Sequence, residues 1–396
     1  MIHTCFCIHD SRGIYCKYLA VAVCSLLENT SDDVTVHIIH DETLTENDRA
    51  KFDRLVASYG HSVSFYRVST KAFLERKVIR AEKIGTFMRL KIADVLPASV
   101  DRVVYLDSDV VLQLDIRELW ESELTNNVLG ACIDQGVTEG KTVPWLCEKQ
   151  MVKMEKYFNA GVLLMDLTEI RRGHNLFDES VRFLEKYPRC TFLDQDALNY
   201  IFRDKTTYIE DRYNTLTVFS KEKSLAKRIY HFAGDSVNIG DIKPIDAMFF
   251  YYLLKTPWGT LDGLLAYVLP AARHQWKQIE TYQKILEKAD CKKIIFGANG
   301  EMNKEFLRFF TVNPKMDYYV DNCLDIQDGT KDGMPVFAPS KIRTETHGAY
   351  IVIVLSKDYY RDIKHELEGY GLKENKDFFD GRLLLKQDQN GYSGYY

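Results

Sequence analysis

Apolar and polar positions along this chain follow two periods in turn. Short runs rich in Val, Ile, Leu and aromatic residues at 4–8, 34–39 and 63–68 are separated by longer stretches, 18–27 and 47–59, where apolar residues recur every turn of a helix. The first kind predicts buried strands and the second amphipathic helices. Further strand-like runs follow at 103–106, 128–133, 161–165, 207–209 and 228–232. Strand and helix in alternation predict βαβ units and a largely parallel sheet covered by helices.

Residues 248–288 read mainly as helix, with breaks at Pro257-Trp258-Gly259 and Pro270. A new strand then enters a glycine turn at Lys292-Lys293-Ile294-Ile295-Phe296-Gly297-Ala298-Asn299-Gly300. Runs at 318–320 and 350–355 and a helical pattern at 359–370 complete a second, smaller α/β unit. The predicted organisation is a first domain over 1–250, a helical linker over 251–288, a small α/β domain over 289–386 and a disordered tail over 387–396. The aromatic residues around the linker, among them Phe249, Tyr252, Trp258 and Trp276, fit packing against a domain. Peripheral membrane contact is the alternative use, and it is disfavoured because basic residues do not gather on one evident face.

At 396 residues the chain exceeds what one hydrophobic core usually organises, in agreement with two domains. A hydrophobic fraction of 46% and a charged fraction of 28% belong to an ordinary globular protein. The net charge of -5 argues against an extended nucleic-acid surface, so any phosphate bound is small and metal-shielded. Nine scattered cysteines without a Cys-x-x-Cys pair indicate neither a zinc site nor a disulfide framework, and point to a reducing, cytoplasmic setting. Residues 16–27 have the apolarity of a signal peptide, but Asp10 precedes them with only Arg12 and Lys17 nearby, so a first strand and helix is the better reading. No apolar run approaches the length of a membrane span.

Chemistry enters at Tyr105-Leu106-Asp107-Ser108-Asp109, two carboxylates one residue apart where an apolar strand ends. Charges cannot stay in the core, so the pair faces solvent or a ligand. Oxygen ligands so spaced suit a hard cation such as Mn²⁺ or Mg²⁺, and that cation suits a phosphate-bearing substrate. The tripeptide alone is weak, because strand exits often carry solvated aspartates. Downstream, Phe158-Asn159-Ala160-Gly161-Val162 places Asn159 in a small-residue turn feeding an apolar strand, where its amide can donate and accept. Asp194-Gln195-Asp196 opens a helical pattern, which as a bare helix start is common. His231-Phe232-Ala233-Gly234 follows a strand; a lone histidine there is more often structural, but beside an Asp-x-Asp pair it could complete a metal sphere.

In order and spacing, these segments, together with Phe87-Met88-Arg89-Leu90 and Leu129-Gly130-Ala131-Cys132-Ile133-Asp134, resemble glycosyltransferase family eight. The resemblance implies an α/β fold of the GT-A type with a mixed sheet flanked by helices, a UDP-sugar donor with Mn²⁺ (or Mg²⁺), and retention of anomeric configuration. Carried over, Asp107, Asp109 and His231 would hold the metal. Arg89, Asp134, Asn159 and Asp194 would contact the donor sugar, with Gln195 near the anomeric centre; Gln195, Asp194 and Asp134 are thus the catalytic candidates. His9 and Asp10 match the place where the family binds uridine, with Tyr15 stacking on the base, and Ser108 and Gly234 join the donor-contacting positions. The implied reaction moves glucose or galactose from UDP to a saccharide acceptor, a bacterial surface glycan, at the cytoplasmic side including the inner face of the membrane. With no unambiguous carboxylate nucleophile, the same-face route is preferred, the leaving phosphate deprotonating the acceptor hydroxyl.

One departure matters. The family usually follows its His-x-x-Gly turn with Lys-Pro-Trp, whose lysine contacts the diphosphate; here the chain continues Asp235-Ser236-Val237-Asn238. Lys221, Lys223, Lys227 and Lys243 are the candidate replacements. That departure motivates the alternative of a non-catalytic UDP-sugar-binding subunit. A haloacid-dehalogenase phosphatase, which also uses Asp-x-Asp-x-Val, is the enzyme runner-up, although its motif belongs after the opening strand. The second domain resembles the small Rossmann-like units joined to enzymes of bacterial surface-polysaccharide synthesis. It has Gly297 and Gly300 but not the full dinucleotide fingerprint, and Asp321 stands at the expected acidic position.

Overall fold

The computed structural model describes the chain except residues 77, 80–82, 220–224, 235, 236, 238–242, 299–302, 304, 305, 308–314, 357, 358 and 385–396, together with the side chains of 266–276 and 278. The expected tail at 387–396 therefore lies outside the described residues. Two compact units divide the chain at Tyr267 and Val268.

The first unit contains β1 (Ile2–Ile8), β2 (Val34–His40), β3 (Ser62–Arg67), β4 (Arg102–Leu106), β5 (Val110–Leu112), β6 (Leu129–Ile133), β7 (Phe158–Asp166), β8 (Thr206–Tyr208), β9 (Thr215–Leu216) and β10 (Ile229–His231). Seven of them form one sheet in the order β3-β2-β1-β4-β7-β6-β8. The strands β3, β2, β1 and β4 are parallel. β7 alone runs antiparallel to its neighbours, so the largely parallel sheet read from the alternation is the mixed sheet that the family resemblance implies. The reversal has a consequence for the site: an antiparallel strand delivers its first residues to the edge where the parallel strands end. Leu106 pairs with Val162, and the Asp107 amide donates to the Gly161 carbonyl at 2.7 Å.

Residues on β1 alternate between two apolar clusters, Phe6 and Ile8 in one and Cys5 and Cys7 in the other. Both faces of the sheet are thus covered, as strands read as continuous apolar runs require. The helix Tyr15–Asn29 buries ten of its residues against one face. Phe249, Tyr252, Leu253 and Trp258 join the same core, so residues just beyond 250 pack within the first unit. The helix Leu261–Glu287 runs continuously through Pro270, where a break was expected. A proline inside a helix removes one backbone hydrogen bond, which need not end the helix when the turns on either side persist.

β7 begins with Phe158, so Asn159 sits inside the strand rather than in a turn before it. The helix Asp194–Ile201 clamps that strand end: Asn199 Oδ1 accepts from the Phe158 N–H at 2.9 Å, and its Nδ2 donates to the Phe158 carbonyl at 2.8 Å. Asn199 is fully buried, so the pair has no water to fall back on.

The second unit builds β11 (Lys292–Phe296), β12 (Tyr318–Val320), β13 (Thr330–Lys331), β14 (Met334–Phe337), β15 (Tyr350–Val354) and β16 (Phe378–Asp380) into a sheet of order β13-β14-β12-β11-β15-β16. Five strands are parallel and β13 closes a hairpin on β14. Gly297, at φ +113°, ends β11 where a Cβ would stand 2.6 Å from the Leu355 carbonyl oxygen. The Asp321 carboxylate accepts from the Ala298 N–H at 2.7 Å and the Cys323 N–H at 2.8 Å, which ties the acidic position to the chain's own backbone. Gly300, the other half of the glycine pattern, lies outside the described residues.

Replacing Asn199 by Leu leaves the Phe158 N–H and C=O buried without partners. Urea denaturation is expected to show the first unit destabilised by about 2–4 kcal/mol, the sum of two unsatisfied groups; a loss below 1 kcal/mol would mean that the strand end finds other partners.

Candidate active site

A second, three-stranded sheet of order β5-β10-β9 frames the site. β5 starts one residue after Asp109, and its Val110 pairs with His231 at the end of β10. The Phe232 N–H also donates to the Asp109 carbonyl at 3.0 Å. Strand register therefore brings the imidazole to the Asp-x-Asp segment across more than a hundred residues of chain. His231 Nε2 lies 3.6 Å from Asp107 Oδ2 and 3.4 Å from Asp109 Oδ1. One ligand atom from each of the three residues falls within 4.8 Å of the others, the one such cluster among the described residues.

The cluster needs a gap in β7. A Cβ on Gly161 would stand 2.2 Å from His231 Cε1 and 2.9 Å from Asp107 Oδ2. Only glycine leaves the ring and the carboxylate where they are.

Arg89, on the short turn Met88–Lys91, provides the positive charge beside these acids. Its Nη2 is 3.1 Å from Asp107 Oδ1, its Nε is 3.2 Å from Asp194 Oδ2, and its Nη1 donates to the Ala160 carbonyl at 2.6 Å. Tyr105 donates its hydroxyl to the same Asp107 oxygen. Burial pushes the Asp194 carboxyl up to about 6, with Asp107 adding and Arg89 opposing. For His231 burial acts downward, but the charges of Asp109 and Asp107 outweigh it and raise the imidazole.

A second group of polar side chains lies beside the first. Asp134 caps the turn Gln135–Thr138: its Oδ1 accepts from the Gly136 and Val137 N–H groups at 2.9 and 3.3 Å. Its Oδ2 accepts from Asn159 Nδ2 and Gln195 Nε2, each at 3.0 Å. Gln195 Oε1 in turn accepts from the Ala160 N–H at 3.0 Å. Leu193, immediately before Asp194, has φ +47° and ψ -107°, a strained backbone for a residue with a side chain. The strain sits at the residue that turns Asp194 and Gln195 toward β7.

The structure thus gathers Arg89, Asp107, Asp109, Asp134, Asn159, Asp194, Gln195 and His231 around the first residues of β7. Ser108 is partly exposed between the two aspartates. Gly234 follows β10 in a turn at φ +69°, a conformation that suits glycine. His9 and Asp10 lie at the end of β1, where His9 Nδ1 meets Asp41 Oδ2 at 2.5 Å. The Asp10 carboxylate accepts from the Ile14 and Cys16 N–H groups at 2.9 and 2.8 Å, so it fixes the start of the helix Tyr15–Asn29. Tyr15 is half-exposed; burial raises its hydroxyl pKa, and Asp109 and Asp107 add to the rise, which places it in their field. Of the candidate lysines, Lys221 and Lys223 lie outside the described residues, Lys227 is exposed, and Lys243 heads the helix Pro244–Leu254. Sequence reasoning missed Asn214, buried between His231 and Asn159, because no periodicity or turn pattern marks it.

Acidic and amide side chains converging where parallel strands end define an α/β enzyme site for a small polar ligand. A sequence profile of glycosyl transferase family 8 matches residues 6–238, more than half of the chain, and the chain belongs to that family. It is similar to the galactosyltransferase LgtC solved in complex with donor and acceptor sugar analogs, at 25% identity and a TM-score of 0.55, over 65% of this chain and 96% of that one. The mixed sheet flanked by helices is accordingly the GT-A arrangement. Among sequence relatives, a putative glycosyltransferase of Haemophilus influenzae is 29% identical over 52% of this chain and 62% of its own length. A lipopolysaccharide 1,3-galactosyltransferase of Salmonella typhimurium is 28% identical over 59% of this chain and 66% of its own. The chain thus spans just under two thirds of each of these two relatives. Family membership leaves no place for the phosphatase reading. No described helix is long and apolar enough to cross a membrane.

Gly161→Ala is expected to displace His231 from the two aspartates, so that Mn²⁺ used in calorimetry as a probe of the three-residue cluster binds about 10- to 100-fold more weakly than to the parent; an unchanged titration would show that the three groups do not form one site. Asp194→Asn tests the cost of burying that carboxylate. Between its ordinary value of 3.8 and about 6 the unfolded chain ionises first, so stability falls as pH rises through this window. The variant is expected to match the parent near pH 4 and to exceed it at pH 7, by on the order of 3 kcal/mol in urea denaturation. Equal stability at both values would contradict the buried carboxylate.

Proposed function

We propose that the first unit transfers a hexose, glucose or galactose, from a UDP-sugar to a glycan acceptor with retention of configuration, using Mn²⁺ or Mg²⁺. The observation that carries this reading is the Asp107, Asp109 and His231 cluster lying beside Asp134, Asn159 and Gln195 in a member of glycosyl transferase family 8. Two carboxylate oxygens and one imidazole nitrogen are a fitting donor set for a hard to borderline divalent cation. Bound there, the cation would supply charge neutralisation for the departing diphosphate.

The other roles belong to the chain's own side chains. Asp134, Asn159 and Asp194 would orient the sugar's hydroxyls, and Gln195 would lie under the anomeric carbon. Arg89 would hold Asp107 and Asp194 in place. His9, Asp10 and Tyr15, at the end of β1 and the start of the following helix, would form the uridine end of the site, and Ser108 and Gly234 would lie along the diphosphate.

The hydrogen bonding also favours the same-face route. Asp134 already accepts four N–H groups, Asp196 is engaged by the Tyr157 hydroxyl and the Phe192 N–H, and Asp194 faces Arg89. A double displacement needs a carboxylate free to attack, and these three are occupied. The similarity to a lipopolysaccharide galactosyltransferase favours a bacterial surface saccharide as acceptor.

Release of UDP from a panel of UDP-sugars, with and without Mn²⁺, is the direct test. Metal-dependent release with UDP-glucose or UDP-galactose is expected, and Asp109→Asn should reduce it by about 10³-fold or more, the scale of removing a main electrostatic contribution. UDP binding without turnover on any donor would instead favour a non-catalytic sugar-nucleotide-binding subunit.

A further inference from the structure

We infer that Asn214 is a positioning residue that selects which nitrogen of His231 faces Asp107 and Asp109; this rests on the metal reading above. Asn214 is buried, with 1% of its surface exposed, and immediately precedes β9. β9 pairs in parallel with β10, Thr215 beside Tyr230, so the asparagine lies alongside the strand that ends in His231.

Hydrogen-bond polarity runs in one direction through this group, and each member dictates the next. The Asp134 carboxylate only accepts, so the Asn159 atom at 3.0 Å from its Oδ2 must be the NH₂ group. The remaining Asn159 oxygen accepts from the Gly161 N–H at 2.9 Å, which fixes the same orientation independently. That oxygen also lies 2.9 Å from Asn214, whose facing atom must then be its own NH₂. The Asn214 oxygen is left pointing at His231 Nδ1, at 2.9 Å. An amide oxygen cannot donate, so Nδ1 carries the hydrogen and the neutral ring presents its lone pair at Nε2. Nε2 is the atom that faces both aspartates.

Metal-ligating histidines depend on such a partner for tautomer and ring angle. The present partner is an amide rather than a carboxylate. Its second bond ties the ring to Asn159, and through it to Asp134 and Gln195. The metal ligands and the proposed sugar contacts thus share one polar chain with a defined sense.

Two variants separate the two bonds. Asn214→Asp keeps an acceptor for His231 Nδ1 but sets oxygen against oxygen at Asn159. Asn214→Ala removes both bonds. Calorimetry with Mn²⁺ alone is expected to show about 10- to 100-fold weaker binding for Asn214→Ala, the usual loss when a ligand histidine loses its partner. Asn214→Asp should retain Mn²⁺ affinity near that of the parent while weakening UDP-glucose binding measured with Mn²⁺ present. Nitrogen-15 NMR of metal-free, histidine-labelled protein, taken at alkaline pH where the ring is neutral, should show His231 as the Nδ1–H tautomer in the parent and in Asn214→Asp.

A folded Asn214→Ala protein that binds Mn²⁺ like the parent would overturn the inference. So would a parent spectrum of the neutral ring with the hydrogen on Nε2 alone, a readout that holds even if Asn214→Ala fails to fold. A parent that shows the Nδ1–H tautomer yet binds no Mn²⁺ would instead sink the metal reading, while leaving Asn214's hold on the ring supported.

Discussion

Two carboxylates on one guanidinium and a third on a buried imidazole set the terms for the rest of the first unit. Asp107 and Asp194 both contact Arg89, and Asp109 stands across from His231. Acids this close repel one another, and burial makes the repulsion stronger than in water. The rise of the Asp194 carboxyl to about 6, driven first by burial, registers this. The chain opposes it with Arg89 and with an imidazole that the same charges keep basic, and a cation would complete the compensation. A site that tolerates this much uncompensated charge has given up stability for binding, which is how functional sites commonly differ from the cores around them.

Holding such groups together requires backbone that cannot relax, and the mixed topology provides it. Parallel strands end at one edge, so β1 and β4 deliver His9, Asp10 and Asp107 there. An antiparallel β7 starts at that same edge and adds Asn159 and Gly161 from the opposite direction. The small sheet of β5, β10 and β9 then crosses behind Asp109 with His231 in register. Each of the three groups is thus set by strands that pair on either side of it, with Asp107 and Asp109 in the short turn between β4 and β5, and the missing Cβ at Gly161 keeps the space between them open. The helix Asp194–Ile201 is placed with equal firmness, through the paired bonds of Asn199 to Phe158 and the strained turn at Leu193.

Much of this was legible in the sequence. The apolar runs placed every strand of the main sheet to within a few residues, most plainly in the central strands, where both faces of the sheet are buried and the runs are continuous. The motif segments carried the site, since Asp107, Asn159, Gln195 and His231 each stand beside a run whose type was plain. What escaped was what depends on pairing between distant strands. The sense of β7 has no local signature, because an apolar run reads the same in both directions, and Asn159 was accordingly placed before the strand instead of inside it. Asn214 stands just before a two-residue strand, where there is no period to read. The tight start of the helix Tyr15–Asn29, where Asp10 caps two backbone N–H groups, was likewise hidden behind a functional expectation for the same carboxylate.

The same geometry indicates how a ligand must approach. His231, Arg89, Asp134, Asn159 and Asp194 are all buried, and nearly every hydrogen-bonding group they own is already matched to a neighbour. Asp107 and Asp109 keep 20% and 27% of their side-chain surface exposed, so the site presents its negative charge outward and its matched amides inward. A negatively charged diphosphate meeting that face would be repelled unless a cation bridged the two. On the proposed function, metal and donor binding would be coupled by this electrostatics: each would strengthen the other, whatever the sugar. A matched polar interior also needs little rearrangement once the ligand is seated, which favours charge developed in the reaction over charge present in the ground state.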